Sequence, residues 1–120
     1  MTYLFPAAWL LLITILSLLP GVPAPGGFNL IGFDKLGHAF VYAVQVWLTA
    51  RAWRHASGKD DLRIGQFLLL ISGAVLYGIL MEWAQLTCTE SRHFELDDMI
   101  ANGIGACIGG FLFITKWRSR

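Results

Sequence analysis

The sequence predicts an all-α fold: an integral membrane bundle of four transmembrane helices, with both termini in the cytoplasm. Three observations predict it. First, 56% of the 120 residues are hydrophobic and only 14% are charged, against about 25% charged in a soluble domain. A soluble chain this short has a large surface to cover with polar groups, and there is too little charge here to do so. Second, four apolar stretches, roughly 3–19, 36–53, 67–87 and 99–117, each approach the ~20 residues that cross a hydrocarbon core of ~30 Å. Third, Lys and Arg sort to one side of those stretches. The length allows one domain, 1–120.

The first stretch is read as a span and not as a cleaved signal peptide. Its N-terminal flank lacks Lys and Arg, and prolines surround any cleavage site. Pro6 falls in the first helical turn, where a missing N–H matters little. The link that follows, PGVPAPGGFNLIGF, is rich in Pro and Gly and cannot continue a helix. The second link, RAWRHASGKDDLR, is polar and carries both signs of charge. The third link holds Glu90, Arg92, His93, Glu95, Asp97 and Asp98.

Orientation follows from the cations. Arg51, Arg54, Lys59, Arg63, Lys116, Arg118 and Arg120 lie on one side of a four-span chain, and only Lys35 and Arg92 on the other. The positive-inside rule puts the first group in the cytoplasm, so the first and third links face outward. Trp53 and Trp117 stand where a cytoplasmic interfacial belt would be. A net charge of +1 offers no basic field for nucleic acid. Cys88 and Cys107 fit no metal or redox spacing, and no disulfide is expected between a helix end and a helix interior. His55 and His93 likewise read as loop residues. No cofactor and no resident metal are expected.

The functional argument rests on polar residues inside the spans. Asp34, His38, Tyr42, Gln45 and Thr49 recur at spacings of three and four, which is one helical face. Glu82 and Gln85 are three apart, and Asp98 and Asn102 four apart. At 1.5 Å per residue, His38 and Asn102 lie ~6 Å and Glu82 ~7.5 Å below the outer helix ends. Three helices thus bring His38, Glu82 with Gln85, and Asn102 to one level, under a charged rim of Lys35, Arg92, Asp97 and Asp98. An ionised Glu82 facing lipid would cost on the order of 2.5–3.5 kcal/mol at a helix centre, so it should turn inward toward His38, Lys35 or Arg92. The alternative is that these groups only hold helices together, with Asp34 and Asp98 favoured at helix N-termini. Gln45 and Thr49 are read that way. Gly105 and Gly109, with Ala101 before them, form a small-residue stripe for close packing within the bundle. A homo-oligomer through Gly105 and Gly109 is the other use of that stripe.

Three segments resemble the VanZ-like family of bacterial membrane proteins. DKLGHAF (34–40) with Tyr42 resembles the family's D-K-x-x-H-F-x-x-Y opening of a span. GILMEWAQ (78–85) resembles its G-x-x-x-E-x-x-Q segment. Arg92, Asp97, Asp98, Ala101, Asn102, Gly105 and Ala106 resemble its R-x-x-x-x-x-D-x-x-x-N-x-x-G-A segment. One departure is Ala39, with Phe40 following, where the family often has Phe. The resemblance covers roughly 33–110. It implies a bundle of about four helices in the bacterial cell membrane and, for the founding member, an association with reduced susceptibility to the glycopeptide teicoplanin. It implies no settled reaction.

Two classes of function follow. In the first, a lipid head group or lipid-linked precursor of the envelope, or a glycopeptide-related ligand, is held at the outer face. Lys35 and Arg92 would meet phosphate, and Asp34, His38, Tyr42, Glu82, Gln85, Asp97, Asp98 and Asn102 would line the site. In the second, a membrane-embedded enzyme uses His38 and Glu82 as an acid/base pair, with Arg92 stabilising an anion. A variant holds a divalent metal with His38, Glu82 and Asp97 or Asp98. Ser91 and Thr87 show no nucleophile motif. Four short spans leave little room for a transporter.

Overall fold

The computed structural model describes residues 1–19, 31–58, 62–88 and 95–118. Four helices follow in order: α1 (Leu4–Leu18), α2 (Ile31–Ser57), α3 (Ile64–Cys88) and α4 (Leu96–Arg118). Among the described residues there is no strand.

Local chemistry sets the helix ends. Pro6 is the third residue of α1, where its ring fits the first turn. Asp34 lies in the first turn of α2, and Asp97 and Asp98 in that of α4, so three carboxylates meet positive dipole ends. Gly58 ends α2 at φ +62°, and its N–H bonds the Arg54 carbonyl at 3.1 Å. Gln66 Oε1 accepts from the Arg63 N–H at 2.9 Å, closing the start of α3.

Helix lengths differ from the expected spans. α2 has 27 residues, beginning before residue 36 and running past 53. Hydropathy marks the apolar middle of a helix, whereas the helix itself continues through Asp34 and Lys35 at one end and Arg54 and His55 at the other. α1 has 15 residues, about 22 Å. Among the described residues, two helices are long and apolar enough to cross a membrane: α3, and α4 over Leu96–Lys116. Helices of this kind point to a membrane protein.

α2 and α4 are the most closely apposed pair. Gly105 is stacked on Ala39, and Gly109 on Ala43. The numbering rises in the same sense on both helices, so they run parallel. A Cβ at Gly105 or Gly109 would fall on the carbonyl oxygen of Ala39 or Ala43. Both glycines are buried. The small-residue stripe is therefore consumed inside the chain, and the face foreseen for a second copy is covered by α2. Gly110 accommodates the Phe67 ring of α3 in the same way. Two apolar clusters fill the interior. One joins Ile13, Tyr42, Val46, Ala74 and Ala106 from all four helices. The other joins Ala50, Phe67 and Phe113, with Trp47 edge-on to Phe113 at 5.6 Å.

α1 is held by polar ties. Trp9 Nε1 donates to the Val41 carbonyl at 2.9 Å. Thr14 and Tyr77 share a short hydroxyl contact. Gln85 Nε2 donates to the Ser17 carbonyl at 2.8 Å, one of the orphan acceptors of the last α1 turn. Gln45 and Thr49, expected as glue between helices, instead bond to each other along α2. Cys88 and Cys107 are free.

Gly105→Ala should collapse the α2–α4 pairing, because its added methyl meets backbone. Gly103→Ala should be tolerated, because a Cβ there meets only Val75 Cγ2 at 3.9 Å. Thermal unfolding in detergent should show a destabilisation beyond about 3 kcal/mol for the first and a near-native transition for the second.

Candidate functional site

The parallel approach of α2 and α4 brings two helix starts to the same end of the bundle. His38, one turn beyond Asp34 on α2, faces Asn102, one turn beyond Asp98 on α4. His38 Nδ1 stands 3.1 Å from Asn102 Oδ1. A carboxamide oxygen only accepts, so Nδ1 carries the proton and donates. Nε2 then points toward carboxylates: it is 3.5 Å from Asp98 Oδ2 and 3.9 Å from Asp34 Oδ1. Asp98 and Asn102 are buried, at 5% and 2% exposure. Asp34 is exposed.

Lys35 closes the same end. Its Nζ lies 3.4 Å from Asp97, 3.5 Å from Asp98 and 3.8 Å from Glu95. Desolvation pulls its pKa down, and the carboxylates of Asp97 and Asp98 outweigh that and hold it above the ordinary lysine value. The cationic rim expected at Lys35 is thus a lysine surrounded by acids. Its charge ties the start of α2 to the start of α4. Arg92, the other expected rim cation, lies outside the described residues, as do Ser91 and His93.

Glu82 is buried at 3% exposure, as its inward turn required. Its Oε2 accepts from the Glu95 N–H at 3.4 Å. Among the described residues no hydrogen bond or ion pair joins it to His38 or Lys35, so the foreseen acid/base pair of His38 and Glu82 is not formed. His38 pairs with Asp98 instead. Gln85 sits at the level expected for it but reaches sideways to α1. Tyr42 is a core residue at 2% exposure. Gly78 keeps this level open: a Cβ there would lie 3.0 Å from Asn102 Nδ2 and 3.4 Å from the Tyr42 hydroxyl.

A cleft of about 260 Å³ opens beside these groups between α1, α2 and α3. Asp34, His38, Ser17 and Gln85 supply its polar end, and Ile13, Leu16 and Val41 its apolar wall. Two contributors escaped sequence reasoning. Glu95 is the third acid on Lys35, and its place just before the first turn of α4 was the available signal. Ser17 contributes through α1, whose apolar sequence gives no register against the other helices.

Asn102→Leu should leave the half-buried Nδ1–H of His38 without its acceptor. The expected cost is about 1–3 kcal/mol of stability in detergent, with a changed ¹⁵N shift at the His38 ring as the local readout. An unchanged ring shift would show that Asn102 does not set the tautomer.

No protein-family model, no curated protein and no solved structure matches this chain.

Proposed function

We propose that this chain is a four-span bacterial membrane protein of the VanZ-like kind, whose outward end binds the head group of an envelope lipid or lipid-linked precursor. An inverted distribution of side chains supports the four spans. Leu11, Ile15, Leu68, Leu76, Leu80, Ile104 and Phe111 are exposed, while Glu82, Gln85, Asp98 and Asn102 are buried. Water selects against so much exposed apolar surface, and hydrocarbon selects for it, with polar groups turned into the bundle. The bundle measures 48 × 25 × 21 Å, and its long dimension exceeds the ~30 Å core. Local thinning of the bilayer accommodates the shorter α1. Orientation rests on the distribution of Lys and Arg.

The observation that carries the head-group reading is the two-sided lining of the cleft. Polar groups at one end (Asp34, His38, Ser17 and Gln85) meet an apolar wall of Ile13, Leu16 and Val41. A lipid has the same two parts. A few placed polar groups fix orientation and the apolar wall supplies burial. An enzyme reading has one observation in its favour, the approach of His38 to the buried Asp98. That pair has the form of a base oriented by a carboxylate.

The test is binding of short-chain fluorescent phosphatidylglycerol to protein purified in detergent, with phosphatidylcholine as the comparison. His38→Ala and Gln85→Leu should each weaken phosphatidylglycerol binding about tenfold, the loss of roughly one charge-assisted or buried hydrogen bond. Leu112→Ala, on an exposed apolar face, should leave it unchanged. Equal affinity in wild type and both site variants removes the head-group reading.

A further inference from the structure

We infer that Asp34, His38 and Asp98 form a binding site for a first-row divalent metal ion at the mouth of the cleft. One ligand atom from each of the three residues lies within 4.8 Å of the others. Asp34 and His38 are one helical turn apart on α2, so both project from one face, and α4 supplies Asp98 from across the interface.

The spacing favours an ion over direct bonds among the three groups. Nε2 is 3.5 Å from Asp98 Oδ2 and 3.9 Å from Asp34 Oδ1, beyond the usual 2.7–3.2 Å or so of an N–H···O bond. A tetrahedral ion with bonds of about 2.0–2.2 Å sets its donors about 3.4 Å apart. The tautomer points the same way. With Nδ1–H given to Asn102, Nε2 is the nitrogen left to face two carboxylates, and a metal ion between them would take its lone pair. A hydrogen-bonded far nitrogen is also how a metal-bound imidazole is held in place.

Asp98 is the buried member of the three, at 5% exposure. Lys35 Nζ stands 3.5 Å from its Oδ1, a charge contact that leaves Oδ2 to the His38 side. One imidazole and two carboxylates suit zinc or manganese better than a softer ion. The fourth position opens toward the cleft, which Asp34 and His38 also line. There the ion would supply the cation that a head-group phosphate needs, now that Lys35 is engaged by acids. That last step alone rests on the head-group reading.

The experiment uses Mn²⁺ as the probe on full-length protein in detergent, in a phosphate-free buffer without added lipid. Electron paramagnetic resonance should show one tightly bound Mn²⁺, with electron-spin-echo modulation from a single imidazole nitrogen. Zn²⁺ should displace it. Asp34→Asn changes an exposed side chain and should keep the fold, checked by circular dichroism, while weakening Mn²⁺ at least about tenfold. His38→Ala should abolish the nitrogen modulation. Wild type that binds no Mn²⁺, or binds it without nitrogen modulation, overturns the site: the ring is then simply protonated, or the ion sits on surface acids. The wild-type spectrum needs no variant to fold. Phosphatidylglycerol binding, measured with and without EDTA, separates the two readings. Mn²⁺ binding without lipid binding removes only the head-group reading. Lipid binding that ignores EDTA, in protein that takes up no Mn²⁺, removes only the metal.

Discussion

With no side chains at Gly105 and Gly109, the α4 backbone reaches the carbonyls of Ala39 and Ala43 on α2. The register of that approach decides what the other residues of both helices meet. One turn outward it sets Asn102 against His38, and another turn sets Asp98 between His38 and Lys35. A bulkier stripe would hold the helices farther apart and break a 3.1 Å hydrogen bond before it disturbed any apolar contact. Packing comes first here, and the polar site is its consequence. Between helices in lipid, dispersion and close backbone approach replace the hydrophobic drive available in water.

α1 is held differently. It shares part of one apolar cluster through Ile13, and its distinctive attachments are the hydrogen bonds of Trp9, Thr14 and the Ser17 carbonyl. Interhelical hydrogen bonds in membranes are worth about 0.6–2 kcal/mol each. Three of them match a helix that presents Leu11, Leu12, Ile15 and Leu16 outward and has little small-residue surface for backbone contact. The cleft lies along this more lightly attached wall, not along the tight α2–α4 seam.

Much of this was legible from helical periodicity. Asp34, His38 and Tyr42 share a face because three- and four-residue spacing leaves no choice once the segment is helical, and Asn102 follows from Asp98 in the same way. The inward turn of Glu82 followed from the penalty for facing lipid. Partner choice was less legible, because it depends on inter-helix register that no local pattern encodes. Lys35 looked like a free cation in a list of residues and is enclosed by Glu95, Asp97 and Asp98 in space. Gln45 and Thr49 looked like bridges and bond to each other along α2. The helix ends moved because hydropathy tracks the apolar middle, while α2 continues through charged turns that its hydrogen bonds tolerate.

The parallel course of α2 and α4 also explains how acids can gather at one end. Both helices start there, and each N-terminus carries the equivalent of about half a positive charge. Asp34, Asp97 and Asp98 lie in those first turns, where an anion gains roughly 0.3–1 kcal/mol. Lys35 supplies one full charge. Against the four carboxylates of Asp34, Glu95, Asp97 and Asp98, the two dipoles and Lys35 leave about two negative charges among the described residues. Asp34 carries part of that charge to the edge of the cleft. Whatever enters by its head group therefore meets an acidic mouth first, and must bring positive charge with it or find a cation already held there.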